Sequence, residues 1–357
     1  MAVTSSLNNW PQNKDYVGSN FCGITKQLRR FLLCATLLTA VYILIWPGAR
    51  HFSMIYAGSS QVLPHVTRAI PAQPHQPAQP TQPVLVFGTL APESPWEFRP
   101  EALKEVRDIA SKLNFMHRPH TWKLGNYKKD VHIGHYNTCA VVGNSGVLLG
   151  SQCGAEIDSM DYVIRIDLPV INGYEKDVGK RTDLILFNLK GPDRIRQSSL
   201  FKNRSRDVYE SRFRSVEGAV LFADKRAVED IKTAVEAYKL SFPLLSRGGK
   251  GKLRVGVNEI ASEIAKKNIT GIPSIGLVSV LMMTTICDHP YMYGFYPFTS
   301  DANNNSILYH YYPGDFVDPP LYHNFSQEHH MDDEWIFHRD LHRRGVLKMQ
   351  VGPCGKQ

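Results

Sequence analysis

The sequence has few of the features that mark disordered, multi-pass membrane or repeat proteins. Apolar residues make up 43% of the 357 residues, which excludes a wholly disordered chain. Charged residues make up 21%, and the mean hydropathy of −0.25 argues against a polytopic membrane protein. Internal repeats are absent. The net charge of +8 favours an anionic partner, which could be nucleic acid, a lipid surface or an acidic small substrate.

Only one long apolar run is present, residues 31–46 (FLLCATLLTAVYILIW), and it predicts a transmembrane helix. At ~1.5 Å per residue it spans roughly 24 Å, which suits the thinner membranes of the early secretory pathway. Lys26, Arg29 and Arg30 precede the run, so the positive-inside rule places residues 1–30 in the cytosol. We expect a type II signal anchor in the ER or Golgi with a luminal domain, which excludes nucleic acid as a partner. The alternative is a cleaved signal peptide, but no small-x-small cleavage site follows the run.

Residues 47–95 are expected to form a stem. They include a Pro/Gln-rich tract (PAQPHQPAQPTQP), which cannot build a packed core and will be extended. An SH3-ligand function is disfavoured because the tract would lie in the lumen. No second stretch of linker composition follows, so residues 96–357 are expected to form one luminal domain.

Hydrophobic periodicity predicts strands alternating with helices in this domain. Helices are predicted over 100–113, 225–240 and 258–267, with an apolar helix from a cap at Ser274 to Cys287, and strands are predicted over 138–142, 184–187 and 219–222. An aromatic strand is predicted after the apolar helix. The alternation predicts an α/β fold with a largely parallel, helix-covered sheet.

Four of the six cysteines lie beyond the apolar run: Cys139, Cys153, Cys287 and Cys354. We expect them to pair in an oxidising lumen, although spacing cannot choose among the three connectivities. A zinc site is the alternative, but the sequence has no Cys-x-x-Cys pair. Glycosylation sequons begin at Asn203, Asn268, Asn304 and Asn324.

Two glycine-containing turns could bind an anion. Residues 139–154 (CAVVGNSGVLLGSQCG) predict a strand, a glycine-bracketed turn and a helix start, where backbone N–H groups can approach a phosphate. The alternative is a tight turn that needs glycine for its backbone angles. The second turn, Ser274-Ile275-Gly276, begins the apolar helix, whose free N–H groups suit a carboxylate or a phosphate.

Histidines near the C-terminus could serve as a general base. Tyr309-His310-Tyr311-Tyr312 and residues 328–334 (EHHMDDE) both supply imidazole groups, which can accept a proton from a hydroxyl near neutral pH. A metal site is the alternative here. Glu334, His338 and His342 are spaced i, i+4, i+8 and would share one helical face, and Asp332 and Asp333 add hard ligands.

Two basic stretches remain. Residues 194–214 contain seven basic side chains against Asp207 and Glu210, which could bind an acidic glycan or a lipid headgroup. A solvated loop around Asn203 is the favoured interpretation. Arg247, Lys250, Lys252 and Arg254 form a cluster of a size that ordinary loops contain.

Taken together, these segments resemble the sialyltransferase family, whose four sialylmotifs occur in the same order over most of residues 136–354. Residues 139–183 are similar to motif L (GNSG, SQCGAEIDSMDYVIR, GYEKDVGKRTD) and residues 273–298 to motif S. Residues 310–312 (HYY) resemble motif III, and His329-x4-Glu334 resembles motif VS. The SQCG cysteine and the C-terminal cysteine resemble the α2,8-linking branch, which joins sialic acid to sialic acid.

The resemblance implies a single Rossmann-like domain with a variant of the GT-A glycosyltransferase fold, and disulfides Cys139–Cys287 and Cys153–Cys354. It implies an inverting, metal-independent enzyme that transfers sialic acid from CMP-sialic acid to a terminal sialic acid on a glycolipid or glycoprotein. Residues 96–357 contain no Asp-x-Asp motif, as this metal independence implies. The expected partners are the donor, the acceptor and the Golgi membrane, with a homo-oligomer allowed. Alternatives are galactose or N-acetylgalactosamine acceptors, or a catalytically silent paralogue that binds sialylated glycans.

Residue roles follow from the same resemblance. His329 is implied as the general base, His310 as the group that stabilises the departing CMP phosphate, and Glu334 as structural. The residues implied in donor binding are Asn144, Ser145, Gly146, Asp167, Ser274, Ile275, Gly276 and Tyr296.

Three of the donor-binding positions depart from the usual pattern of the family. Asp167 stands where many members have Asn, which places a carboxylate beside an anionic donor. Ile275 replaces Thr and removes a hydroxyl, and Tyr296 replaces Trp and keeps a smaller aromatic face. Pairing of Asp167 with a basic neighbour would offset its charge.

Overall fold

The computed structural model describes residues 96–247, 252–301, 303–313 and 329–355. The predicted cytosolic tail, transmembrane anchor and stem lie outside these ranges, as does the sequon at Asn324. Across the described ranges, every helix is too short or too polar to cross a membrane.

Eight strands and nine helices are found in the described ranges, apart from short 3-10 turns. The strands are β1 (His120–Leu124), β2 (Tyr136–Val142), β3 (Tyr162–Ile166), β4 (Leu184–Leu186), β5 (Val220–Ala223), β6 (Phe242–Ser246), β7 (Cys287–Tyr293) and β8 (Lys348–Gln350). The helices are α1 (Pro100–Ala110), α2 (Gly154–Asp158), α3 (Glu175–Val178), α4 (Gly191–Ser199), α5 (Glu210–Ser215), α6 (Val228–Tyr238), α7 (Val257–Ala265), α8 (Ile275–Ile286) and α9 (Met331–Arg343).

The strands form one sheet in the order β1-β6-β5-β4-β3-β2-β7-β8. All neighbouring strands are parallel except β1, which pairs antiparallel with β6 at the edge. The predicted mixed α/β fold with a mostly parallel sheet is confirmed. From β2 the strand order proceeds in one direction through β3 to β6 and in the other through β7 to β8. In open α/β sheets, such a reversal leaves a crevice at the carboxyl ends of the strands.

Helices cover both faces of the sheet because alternate residues of each strand are buried on opposite sides. Cys139 and Val141 of β2 belong to the hydrophobic cluster formed with α1, α7, α8 and α9. Ala140 and Val142 belong to a separate cluster with α2 and α3, and β4 to β6 also pack against α4 to α6. This arrangement places the turns that follow the strands along a single edge of the sheet.

Helix α8 lies in the middle of one face and is apolar around most of its circumference. Eleven of its twelve residues are buried, as expected for a helix covered on all sides. It ends at Ile286 and continues directly into β7, so the predicted helix and the aromatic strand that follows it are both present. The hydrophobic run therefore fixes both an interior helix and the strand that leads to the edge of the sheet.

Four strands, β1, β3, β6 and β8, were not predicted from the pattern. The most informative is β3, because its hydrophobic run contains Arg165, which is completely buried. The guanidinium donates hydrogen bonds to the carbonyl oxygen of Val178 at 2.8 Å and to the hydroxyl of Thr182 at 2.9 Å. Burial lowers the pKa of Arg165, against the charges of nearby acidic groups. A charged residue interrupts the apolar pattern by which a buried strand is predicted from the sequence. In the structure, the hydrogen bonds of Arg165 compensate for the burial of its charge.

The structure contains both disulfides that the resemblance implies. Cys139 of β2 is joined to Cys287 at the start of β7, with 6.0 Å between the Cα atoms. Cys153 is joined to Cys354, with 4.9 Å between the Cα atoms. The two cysteines of the first disulfide are 148 residues apart in the sequence, and those of the second are 201 residues apart, so each disulfide closes a long loop. In the chain-entropy model, a disulfide that closes a loop of this size stabilises the fold by up to ~5 kcal/mol.

Candidate active site

A cavity of about 220 Å³ lies at the carboxyl edge of the sheet. Its lining includes Gly143 directly after β2, Asp167 directly after β3, Asn188 shortly after β4 and Gly294 directly after β7. The first turn of α8 and one face of α9 close the remaining sides. The cavity therefore occupies the crevice that the strand order leaves.

The GNSG turn (residues 143–146) follows β2. Its amide groups are mostly occupied: those of Gly143, Ser145 and Gly146 donate to the carbonyl oxygens of Tyr293, Gly294 and Leu308 at 2.8, 3.1 and 2.9 Å. The expectation that this turn presents a set of free N–H groups to a phosphate is therefore wrong for these three. The predicted helix start is also displaced, because a 3-10 turn follows and α2 begins only at Gly154.

Glycine is required in the GNSG turn for close packing. A Cβ atom on Gly143 would lie 2.5 Å from the carbonyl oxygen of Gly294, and one on Gly146 would lie 2.5 Å from that of Leu308. Neither glycine has a positive φ angle, so the alternative of unusual backbone angles does not apply. Among the described residues that line the cavity are Gly143, Asn144 and Ser145 but not Gly146, whose place beside a donor nucleotide stays a prediction.

The side chains of Asn144 and Ser145 do line the cavity. The Asn144 amide donates to the carbonyl oxygen of Ile166 at 3.1 Å, which leaves its buried Oδ1 atom without a partner among the described residues. The Ser145 hydroxyl donates to the carbonyl oxygen of Tyr296 at 3.1 Å and caps the following 3-10 turn. Asn144 is therefore the residue of this turn that can offer a polar atom to a ligand.

The Ser274–Gly276 turn begins α8 and is bound by Glu334 of α9. One carboxylate oxygen of Glu334 accepts from the Ser274 amide at 2.7 Å, and the other accepts from the Ser274 hydroxyl. Burial raises the pKa of Glu334 to about 7, although the hydrogen bonds from Ser274 and the charge of Arg254 oppose this shift. Glu334 therefore joins α9 to the first turn of α8.

The carboxylate of Glu334 already accepts hydrogen bonds from both the amide and the hydroxyl of Ser274. A ligand at this turn would therefore meet the amides of Ile275 and Gly276. Amides of the first helical turn have no acceptor within the helix. Both residues line the cavity. A Cβ atom on Gly276 would lie 2.8 Å from the ring of Phe295, so glycine keeps this aromatic residue close to the turn.

Asp167 lies at the end of β3 with a positive φ angle of 55°. Its carboxylate accepts from the backbone amide of Asn188 at 2.7 Å and from the side-chain amide of Asn188 at 2.6 Å. A basic neighbour is present as well: the Arg254 guanidinium lines the same cavity and interacts electrostatically with Asp167. The charge that departs from the family pattern is thus hydrogen-bonded and partly offset.

His329 and His310 both line the cavity, although 18 residues separate them in the sequence. The Nδ1 atom of His329 lies 2.6 Å from the carbonyl oxygen of Ile272. Since a carbonyl can only accept, this contact assigns the proton to Nδ1 and leaves the lone pair of the neutral ring on Nε2. The His310 ring stacks on Tyr309 and Tyr312, with centroid distances of 4.5 and 5.2 Å.

Tyr296 contributes an aromatic wall. Its ring contacts Trp335 edge-to-face at 5.6 Å, and its hydroxyl donates to the carbonyl oxygen of Ser300 at 2.6 Å. Trp335 itself lines the cavity, but sequence reasoning did not include it. The hydrophobic period of α9 was the available signal, because Trp335 lies on its buried face together with Glu334 and His338.

Glu334, His338 and His342 cannot bind one metal ion together. They follow one helical face, but eight residues of helix span ~12 Å. Each has its own surroundings: Glu334 binds Ser274, His338 packs against Phe295, and His342 stacks on Trp96. Burial lowers the pKa of His338 to about 3, so its ring is neutral. In the described ranges, no group of three or more His, Cys, Asp or Glu side chains could hold a metal.

Three of the seven basic side chains in residues 194–214 form ion pairs with nearby acidic side chains. Arg196 contacts Asp230 at 2.9 Å, Arg204 contacts Asp207 at 2.7 Å, and Arg214 contacts Glu210 at 2.6 Å. These pairs favour a structural role over ligand binding, and only the part around Asn203 is a loop, because α4 and α5 contain the two ends of the stretch. The sequon asparagines Asn203, Asn268 and Asn304 are all exposed.

A cavity at the reversal of a mostly parallel sheet is typical of nucleotide-binding α/β enzymes. The chain belongs to one family of such enzymes, because the family model for glycosyltransferase family 29 (sialyltransferase) matches residues 90–241 and 255–346. The recognition of the sialyltransferase family from its motifs is thus confirmed.

Among curated proteins, the mouse (Mus musculus) alpha-2,8-sialyltransferase 8F is 31% identical to this chain over 229 residues. The match covers 61% of this chain and 54% of the relative, so the chain spans about half the length of this relative. The similarity agrees with the expected α2,8 branch.

Solved structures also match, among them the following two. The first, a mammalian sialyltransferase, is 19% identical with a TM-score of 0.39, and the match covers 72% of this chain and 81% of that one. The second, a mammalian sialyltransferase in complex with Gal-beta-1-3GalNAc-ortho-nitrophenol, is 18% identical with a TM-score of 0.39, and the match covers 73% and 91%.

Proposed function

We propose that the protein is an α2,8-sialyltransferase that transfers sialic acid from CMP-sialic acid to a terminal sialic acid on a glycolipid or glycoprotein. Membership of the sialyltransferase family and the similarity to an α2,8-sialyltransferase support this assignment. The observation on which the chemistry rests is the convergence of His329, His310 and Asn144 on one cavity. The same family membership supports a type II protein of the Golgi membrane.

His329 would act as the general base. With its proton on Nδ1 and bonded to the Ile272 carbonyl, the ring presents Nε2 to an acceptor hydroxyl. As the hydroxyl oxygen bonds to the anomeric carbon of the sialyl group, Nε2 takes its proton. The bond from that carbon to the phosphate oxygen breaks, CMP leaves with the bonding electrons, and the anomeric configuration inverts.

His310 would stabilise the leaving phosphate. Its ring is fixed between neighbouring tyrosines and lies on the same cavity as His329, which allows one histidine to serve each end of the reaction. Stabilisation of the developing negative charge by preorganised groups is a large part of such catalysis. With histidines in both roles, no metal ion is needed, and we propose metal-independent transfer.

The test is a transfer assay with the full chain in detergent, CMP-sialic acid, EDTA and matched acceptors that end in sialic acid or galactose, with products identified by mass spectrometry. We expect transfer to the sialylated acceptor alone and no loss of rate with EDTA. Transfer to the galactose acceptor alone would contradict the α2,8 linkage. Binding of sialylated glycans without any transfer would show a catalytically silent paralogue.

A further inference from the structure

Arg254 is the sole lysine or arginine among the described residues that line the cavity. It lies between β6 and α7, in the segment 242–254 that separates the two stretches matched by the family model. Family membership therefore assigns no role to it. A cationic side chain in a cavity proposed to bind an anionic donor calls for its own explanation.

The guanidinium of Arg254 is partly buried and has unused hydrogen-bonding capacity. Within the described ranges, it has no hydrogen-bond or ion-pair partner, whereas Arg165 and Arg247 donate to backbone carbonyls. Burial lowers the pKa of Arg254, and the charges of Asp167 and Glu334 oppose this shift. Five N–H donors in a planar fork are suited to two oxygens of one anion.

The two carboxylates that line the cavity make it less favourable for an anion. Asp167 and Glu334 both line it, and an unscreened carboxylate beside a second negative charge is unfavourable. Arg254 interacts electrostatically with both carboxylates. One cation can thus offset the charge of Asp167 and still direct its N–H groups to a ligand.

We propose that Arg254 binds an anionic group of the donor, either its phosphate or its carboxylate, and offsets the negative charge of Asp167 in the same cavity. This inference rests on the proposed function for the identity of the anion. A planar carboxylate and a tetrahedral phosphate can each accept two hydrogen bonds from one guanidinium. Ligands that contain one or both of these groups distinguish them.

The test is calorimetric titration of the full chain in detergent with cytidine, CMP, CMP-sialic acid and inorganic phosphate. The variants are Arg254→Gln, Arg254→Lys, Asp167→Asn and the double variant, and Arg343→Gln is the control. Arg343 is paired with Asp340 on α9, and its side chain is 81% exposed. Thermal unfolding of each variant establishes that it is folded.

If Arg254 binds the phosphate, Arg254→Gln lowers the affinity for CMP and for CMP-sialic acid by about tenfold or more and leaves the affinity for cytidine unchanged. If it binds the carboxylate, only CMP-sialic acid weakens. Arg254→Lys retains part of the affinity, because the charge remains and the fork is lost. Arg343→Gln binds every ligand as the wild type does.

The charge-offset part of the proposal is tested by the double variant. Because Asp167→Asn removes the repulsion, the double variant binds the anionic ligand more tightly than Arg254→Gln alone. Losses that simply add would overturn this part. Arg254→Gln with wild-type affinity for all four ligands would overturn the anion-binding part.

Failure of the proposed function gives a different result. A wild-type chain that binds inorganic phosphate but neither CMP nor CMP-sialic acid contradicts the proposed donor, and the effect of Arg254→Gln on phosphate then decides the role of the arginine. A wild-type chain that binds none of the four ligands overturns both proposals.

Discussion

The two glycine-containing turns at the cavity, GNSG and Ser274–Gly276, look alike in the sequence but are held in different ways. In the GNSG turn, backbone carbonyls of Tyr293, Gly294 and Leu308 occupy three of the four amides. In the Ser274–Gly276 turn, a carboxylate from a distant helix, that of Glu334, occupies the first amide. One turn is fixed by the main chain and the other by a titratable side chain.

This difference separates rigid positioning from adjustable positioning. The GNSG turn holds Asn144 by close backbone packing, where no proton can be gained or lost. The Ser274–Gly276 turn depends on Glu334, whose pKa is raised to about 7 by burial. His329 also adjoins the second turn, through the carbonyl of Ile272. Glu334 and His329 therefore both contact the segment that begins α8.

The largest expected effect tests whether proton transfer belongs to the Ser274–Gly276 side. His329→Ala should lower kcat for sialic acid transfer by roughly 10²–10⁴-fold, the usual contribution of a general base. The matched control is His330→Ala, since His330 bonds to Thr270 and is absent from the cavity lining. Steady-state kinetics of both variants measure the difference. Equal rates in the two variants would remove His329 from the mechanism.

A second test compares the packing of the two turns. Gly146→Ala should lower the free energy of unfolding by about 1–3 kcal/mol, because the added Cβ meets the backbone of Leu308, which cannot move alone. Gly276→Ala should cost less, because the Cβ meets the ring of Phe295, a side chain that can shift. Urea denaturation of both variants gives the order. A greater loss in Gly276→Ala would reverse this comparison.

A third test concerns the pH dependence of stability. The pKa of Glu334 is about 7 in the folded state, against an ordinary value of 4.5 that applies to the unfolded chain. Protonation of Glu334 therefore favours folding. This contribution is complete below pH 4.5 and is lost as the pH rises through 7. Relative to Glu334→Gln, the wild type should therefore lose stability between pH 5 and about pH 8. Denaturation at several pH values measures it.

Asn144→Ala is the control for this pH effect, because it keeps Glu334 and changes a turn that has no titratable side chain. Its difference in stability from the wild type should stay constant over the same pH range. If the difference in stability between the wild type and Glu334→Gln were also constant over this pH range, Glu334 would have the same pKa in the folded and unfolded states.

The smallest expected effect lies in the cap of the GNSG turn. Ser145→Ala should cost about 0.5–2 kcal/mol, the usual range for loss of a capping side chain. The hydroxyl accepts from the amide of Val147 and donates to the carbonyl of Tyr296, so both groups lose a partner. Thermal unfolding measures the loss. No change in stability would indicate that the backbone bonds of this turn suffice without the cap.

Much of the fold could be predicted because its elements have strong local signals. Helix α8 is a mostly apolar run with a serine cap, and β2, β4 and β5 are short, mostly apolar runs. The edge strand β1 was not predicted, because its HTWKL segment is mostly exposed and pairs only with β6. Such a strand depends on its neighbour rather than on its own composition.

The candidate site was predictable in its parts but not in its hydrogen bonds. The motifs drew attention to Asn144, His310, His329 and Glu334, all of which line the cavity. They could not reveal that the Glu334 carboxylate accepts hydrogen bonds from Ser274, because the two residues are 60 positions apart in the sequence. Nor could they single out Arg254, which belongs to no motif.

The sequence by itself determined where the histidine, carboxylate and glycine side chains of the motifs occur, the family to which the chain belongs and the alternation that produces a parallel sheet. These properties are local, since they depend on residue type and short-range spacing. Only the tertiary structure decided which amides are free, which carboxylate is buried and which arginine faces the cavity. Those properties depend on long-range contacts and on burial, because a hydrogen-bond partner or a low dielectric environment comes from residues far away along the chain.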